Sequence, residues 1–238
     1  KGQKGRQSPA KSPTSKRDPQ GPSLYDRLEP DKTSPTESTY HRKLRTYLLE
    51  LRAVVKTWND LVLVDGVKAA KGLLDARTEL DNSLAALPSD VQPRLRLVTP
   101  KLAVMDARLD DLQGVLLRLN NQFKKMSSLV DAVESLLIEA SKTKGWTWVS
   151  EEPLWFTWTL ERFAIRLPTL LPPYHRSLHL CTDIVEQLKP HLVSFEESRT
   201  CLRQWIAQPW LAEAPWDEWE QVCEVEVERW KESNLKAS

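Results

Sequence analysis

Between residues 91 and 140 an apolar side chain recurs at alternating spacings of four and three: Val91, Leu95, Val98, Leu102, Met105, Leu109, Leu112, Leu116, Leu119, Phe123, Met126, Val130, Val133, Leu137 and Ala140. A repeat of about 3.5 residues held this long marks a coiled-coil seam, because it keeps one narrow stripe of a helix turned toward a neighbour. It excludes a strand, whose side chains alternate with period two. Thr99-Pro100 reads as an N-cap followed by proline at the first helical position. The main helix is therefore expected over about 100–141, with Gly145 just past its end and a short helix at 90–98 carrying Pro93 in its first turn. At about 1.5 Å per residue the main helix would be roughly 60 Å long.

An earlier stretch carries a similar seam: Leu44, Leu48, Leu51, Val55, Trp58 and Val62. Its frame slips around Asp65-Gly66 and resumes loosely through Ala70, Leu73, Leu80, Leu84 and Leu87. Such a slip is a stutter or a break. Pro88 ends the segment, so the first and main helices are expected to be antiparallel neighbours joined through the corner at 88–100. Farther on, residues 146–158 hold Trp146, Trp148, Trp155 and Trp158, and a helix is expected from 157 to about 171 with a bend at Pro168. Pro172-Pro173 should break or kink it. A seam returns through Tyr174, Leu178, Cys181, Val185, Leu188 and Leu192. Short helices follow at about 197–207, stopped by Gln208-Pro209-Trp210, and at about 215–230, carrying Trp216, Trp219, Cys223 and Trp230. No segment reads as a strand. The fold class is therefore all-α: an elongated antiparallel helical bundle or coiled coil with a disordered N-terminal tail.

The tail is residues 1–39, followed by coiled-coil helices over 40–145 and a Trp-rich helical region over 146–238 that packs on them. Residues 1–23 are rich in Lys, Arg, Ser, Pro and Gly with almost no large apolar side chain, so they cannot bury enough surface to offset the entropy of ordering. Ser8-Pro9, Ser12-Pro13 and Ser34-Pro35 are extended dipeptides of the kind proline-directed kinases read. Ser8, Ser12 and Ser34 are thus the phosphorylation candidates, Ser8 with Lys11 at the third following position.

Lys+Arg 34 against Asp+Glu 33 leaves a net charge of +1, which gives no bulk field for nucleic acid. The tail is basic but has no interleaved aromatics, so direct nucleic-acid binding is not expected. The first residues are polar and no apolar run nears the ~20 residues of a membrane helix. Cys181, Cys201 and Cys223 are odd in number and form no CxxC, as expected of reduced, structural thiols. No phosphate-binding glycine loop, nucleophile elbow or HExxH motif occurs. His175 and His179 share a helical face near Cys181, but His191 lies twelve residues beyond His179 and nothing else converges on a zinc geometry. The expectation is therefore no catalytic residues, no metal, no cofactor and no enzyme. Ten Trp supply anchors for packing or for partners, with Trp146, Trp148, Trp216 and Trp230 outside any seam.

Residues 153–211 are more specific. Pro153-Leu154, Phe156-Thr157-Trp158 and Phe163 stand before a helix with Tyr174, Leu178 and Val185. Leu202, Trp205-Ile206 and Gln208-Pro209-Trp210-Leu211 follow. This region resembles the family of cyclin-dependent kinase 2-interacting protein (CINP), the W-x-x-Q-P-aromatic element above all. A weaker match lies at Trp58, Leu61, Gly66 and Ala69-Ala70. The basic tail, Trp216, Trp219 and Trp230, and the prolines Pro168 and Pro172-Pro173 depart from the family pattern.

The resemblance implies a non-enzymatic adaptor of nucleus and cytoplasm. It would form a heterodimer with a small helical protein like AIRIM and, with it, bind an AAA+ ATPase of the Drg/SPATA type. The implied roles are ribosome biogenesis at the pre-60S stage, DNA replication and the DNA damage checkpoint, with links to the cell cycle through a cyclin-dependent kinase and the Cdc7 kinase. The protein-interaction candidates are Trp58, Leu109, Leu116, Phe123, Trp158, Phe163, Trp205, Gln208, Pro209 and Trp210. A generic coiled-coil tether forming homodimers, or the AIRIM-like subunit itself, are the alternatives.

Overall fold

The computed structural model describes residues 37–88, 95–212 and 216–228. Backbone contacts separate residues 1–36 from 37–238. Ser8, Ser12 and Ser34, Val91, Pro93 and Trp230 lie outside the described residues, as does the side chain of Trp216. The fold is all-α: among the described residues the only β pairing is an isolated bridge between Pro153 and Thr159.

The described residues begin at Glu37, inside the stretch expected as tail. Ser38 is the N-cap of α1 (Thr39–Asp60), its hydroxyl accepting from the His41 N–H at 3.4 Å. Glu37 pairs with Arg45, about two turns on, at 2.6 Å. The expected seam of α1 is buried, together with Tyr40 and Val54. At the predicted slip the rod does not stop. Leu61–Gly66 form a π-helical turn that leads directly into α2 (Val67–Ala85). A π turn accommodates one extra residue, which re-phases the apolar stripe without ending the helix.

The main helix, α3, runs over Leu95–Lys144. It starts five residues before the predicted position and passes through Pro100, so Thr99 is not its N-cap. Proline there removes one N–H, in an outer turn where Leu95, Arg96, Thr99 and Pro100 are exposed. Gly145 takes φ 91° at the other end, a left-handed conformation that glycine reaches without steric cost, and its N–H closes on the Ser141 carbonyl at 3.1 Å.

The first rod and α3 pass each other in opposite directions. The Tyr40 hydroxyl lies 2.6 Å from the Thr143 hydroxyl, Lys43 pairs with Glu139 at 3.0 Å, and Arg118 pairs with Asp65 at 2.8 Å. Lys101 pairs with Glu79 near the far end. The buried stripe of α3 is wider than the seam, since Val115, Leu129 and Leu136 are buried as well. The cause is double coverage: α1 and α2 pack along α3, and so does α6 (Leu171–Leu188). Leu44, Leu51, Met105, Leu112, Leu119 and Met126 are almost wholly buried, each contributing about 1.5–3 kcal/mol by leaving water.

The Trp-rich stretch forms α4 (Trp146–Glu151), a loop, α5 (Leu160–Arg166) and a 3₁₀ turn (Leu167–Leu170) that runs into α6. The expected break at Pro172-Pro173 is absent. Both prolines sit in the first turn of α6, where a missing N–H leaves no helical bond unmade. Leu192, expected on the seam, is 98% exposed in the turn after α6. α7 (Phe195–Ala207) starts from a full capping box between Ser194 and Glu197. α8 (Pro209–Ala212), α9 (Trp216–Cys223) and a second π turn (Glu224–Glu228) complete the described chain.

His41 ties α1 to the loop before α5. Its Nδ1 lies 2.6 Å from the Ser38 hydroxyl and its Nε2 2.5 Å from the Leu154 carbonyl, with Trp148 and Trp155 edge-on around the ring. A carbonyl can only accept, so Nε2 carries the proton and Nδ1 accepts from Ser38: a neutral ring satisfies both contacts. Burial pushes its pKa below the ordinary 6.5, outweighing the Leu154 carbonyl, which acts the other way. A depressed folded-state pKa adds stability that is full above the unfolded value and is lost as pH falls below it. The melting temperature is therefore expected to drop on acidification below about pH 6.5. His41→Gln should flatten that part of the pH profile in a thermal melt series.

Candidate interaction site

Part of the resemblance-bearing set, Trp58, Gly66, Tyr174 and Trp205, gathers around the π turn of the first rod and the end of α1. α7 lies against α2 and this turn, and Trp205 near the end of α7 is completely buried there. Its indole N–H donates to the Val62 carbonyl at 2.9 Å. That carbonyl also receives the N–H of Val67, five residues on, in the π pattern. The ring occupies the space a side chain at Gly66 would need: a Cβ there would stand 2.4 Å from Trp205 Cζ2 and 2.7 Å from Nε1. Gly66 is required by this close approach.

Gln208 ends α7 in the left-handed region at φ 39°, ψ 59°. Its side chain is buried and forms a polar link: Nε2 donates to the Trp205 carbonyl at 2.7 Å and to Cys181 Sγ at 3.5 Å, and Oε1 accepts from the Ser177 hydroxyl of α6. Pro209 then opens α8, whose Leu211 and Ala212 N–H groups return to the Gln208 carbonyl. Within W-x-x-Q-P, the Trp plugs, the Gln joins α7 to α6, and the Pro redirects the chain. Trp58, also fully buried, meets Tyr174 of α6 edge-on at 5.2 Å. Burial raises the pKa of the Tyr174 hydroxyl and pushes the Cys181 thiol up to about 11, so that thiol is inert at neutral pH. Burial raises Cys201 too.

The second matched element lies in the loop before α5. The Leu154 N–H bonds to the Trp158 carbonyl at 2.9 Å, and Thr159 caps α5. Phe163 is fully buried, with Trp158 at 5.1 Å and Trp155 at 5.8 Å. Arg162 stands over the Trp158 ring at 4.6 Å. Of the remaining candidates, Leu109 is buried on α3, and Leu116 and Phe123 are half-buried. Phe123 meets His175 at 5.3 Å. Pro209 and Trp210 face solvent, Trp210 under the Arg176 guanidinium at 5.2 Å. The structure thus places most of the expected contact residues inside the chain. Trp146 is exposed, whereas Trp148 packs on Tyr40 at 5.7 Å.

Two buried charged groups were not singled out in the sequence. Arg77 of α2 donates to the Ser198 hydroxyl and the Pro190 carbonyl, both at 2.9 Å, and to the Leu188 carbonyl. It joins the end of α6 to the start of α7. Burial lowers its pKa. The signal for Arg77 is a gap: the α2 seam runs Ala70, Leu73, Leu80 and skips the position that Arg77 fills. Glu226, in the second π turn, is buried and accepts from the Phe156 and Thr157 N–H groups and the Thr157 hydroxyl. Nothing local marks it.

His175 and His179 face each other with Nε2 atoms 3.2 Å apart, while Cys181 is engaged elsewhere with Gln208. Among the described residues no group of three or more His, Cys, Asp or Glu gathers around a metal position. No helix there is long and apolar enough to cross a membrane. No family model and no curated protein matches the chain.

Gly66→Ala should lower stability by about 1–3 kcal/mol in denaturant unfolding, because ring or backbone must move. Trp205→Phe in the same background should recover part of that loss. Arg77→Met should cost about 2–3 kcal/mol by leaving two carbonyls and a hydroxyl without their donor. An unchanged midpoint in either case would contradict the packing described.

Proposed function

We propose that this chain is a non-enzymatic adaptor subunit of the CINP kind. In this reading it is an elongated antiparallel bundle that pairs with a small helical protein like AIRIM. The pair recruits an AAA+ ATPase of the Drg/SPATA type to pre-60S particles and to the replisome, in nucleus and cytoplasm. A cyclin-dependent kinase and the Cdc7 kinase are further partners, with Ser8, Ser12 and Ser34 as sites for a proline-directed kinase.

One observation carries the reading. Two residues of the 153–211 stretch that resembles the family, Tyr174 and Trp205, pack on the 58–70 stretch far from them in sequence. Trp205 sits on Gly66, its N–H bonds Val62, and Trp58 meets Tyr174. The packing of these residues into one unit is what supports the reading. Surface for a partner remains next to it. Leu63 and Val64 on the π turn and Leu117 on α3 are 50%, 60% and 64% exposed, flanking the Asp65–Arg118 ion pair. Against the homodimeric tether stands the burial of the α3 seam by helices of the same chain.

Affinity capture of the intact chain with mass spectrometry, joined to light scattering, tests the proposal. The expected outcome is a one-to-one heterodimer with a small helical protein and recovery of the AAA+ ATPase. Leu117→Glu should weaken pairing at least about tenfold without changing the thermal melt. A stable elongated homodimer that captures neither protein would overturn the adaptor reading.

A further inference from the structure

The C-terminal segment Trp216–Glu228 meets the rest of the chain through a short set of side chains. Trp219 is buried against Trp158 at 5.8 Å and Phe163 at 6.1 Å. Seven residues on, Glu226 reaches the loop before α5, accepting from the Phe156 and Thr157 N–H groups at 2.9 and 3.0 Å and from the Thr157 hydroxyl at 2.6 Å. Between them, Glu220 and Glu224 pair with Arg52 of α1 at 3.0 and 3.3 Å. Six acids and no Lys or Arg occur in these thirteen residues. The segment is an acidic helix tied to Arg52 of α1, with a tryptophan plug at one point and a carboxylate latch at another.

One feature weakens this docking. The Trp219 indole N–H is buried with no acceptor among the described residues, a desolvation cost that a matched contact would avoid. The Glu226 carboxylate, by contrast, is met by backbone N–H and hydroxyl donors and is the main polar hold on the segment. The Arg52 pairs are solvent-exposed and add little. Beside Glu220, a groove lined by Leu49, Ala53, Lys56, Asn59 and Asp60 of α1 continues along the same face.

We propose that Trp216–Glu228 is a cis-acting occupant of a docking site for acidic helices. The site consists of Trp158, Phe163, the Phe156–Thr157 backbone and the Arg52–Lys56 face of α1. Its partner is a helix of another protein carrying a tryptophan and a glutamate seven residues apart, and it enters only when the chain's own segment swings out. Covalent tethering gives the cis segment an effective concentration in the millimolar range, so it gates the site even though it binds weakly. This inference rests on these contacts and not on the CINP resemblance.

The test is hydrogen exchange on the intact chain together with binding of a labelled peptide of residues 216–228. In the wild-type chain, residues 216–228 and the Phe156 and Thr157 amides should exchange at least about tenfold faster than the buried amides of α3. Raising the salt to about 0.5 M should speed that exchange further. The double variant Trp219→Ala/Glu226→Ala should bind the peptide at least about tenfold more tightly than wild type, because its own copy no longer competes. Exchange of the segment only with global unfolding would overturn the proposal. So would a double variant that keeps its helical spectrum and fails to bind the peptide. A wild-type dimer dispersed by excess peptide would assign the site to a second copy and overturn the partner assignment. Should the double variant not fold, the wild-type exchange rates decide.

Discussion

The indole of Trp205 lies where Gly66 has no side chain, and its N–H is aimed at a carbonyl of the π turn beside that glycine. The fit works in both directions. The π turn, with the glycine at its end, makes room for the ring. The ring in turn fills the space beside an irregular helix with apolar surface and a hydrogen bond. α7 is positioned by this contact, and through Gln208 at its end α6 and α8 are positioned as well. The capping box at Ser194 supports it from the other end, fixing where α7 begins and so which residue reaches the turn.

Polar groups set the register between helices whose apolar faces could slide. Arg77 reads two carbonyls and one hydroxyl at the turn between α6 and α7. Gln208 and Ser177 pin α7 to α6. A displacement of either helix by one turn would leave these groups buried and unmatched, at a cost of about 1–3 kcal/mol for each orphaned group. Leucine contacts tolerate such a shift far better, so these few bonds select one arrangement among several of similar apolar burial.

Much of the helical plan was legible because period is a strong signal. The α3 seam, the α1 seam and the slip near Gly66 all correspond to observed features. What misled was local reading of proline. Thr99-Pro100 has the form of a helix start, but tertiary packing carries the helix five residues farther back. Pro172-Pro173 has the form of a break, yet the preceding 3₁₀ turn places both residues where proline is tolerated. Trp205 and Gln208 stood out by type and spacing, but only their neighbours reveal that they face inward. Arg77 left a legible gap in a seam. Glu226 left none, since its partners are backbone amides seventy residues away in sequence.

The π turn also bears on which changes of length the chain can absorb. An α-helix turns by about 100° per residue. The π turn holds one extra residue, so deleting one residue within it would let the rod close into a uniform α-helix and leave everything after it facing as before. A deletion in the α-helical parts of the rod has no such reserve and would turn the face of α2 that holds Ala70, Leu73 and Arg77 away from α3 and α7. A single codon can thus be lost from this turn, and not from the rest of the rod, without changing the azimuth of α2.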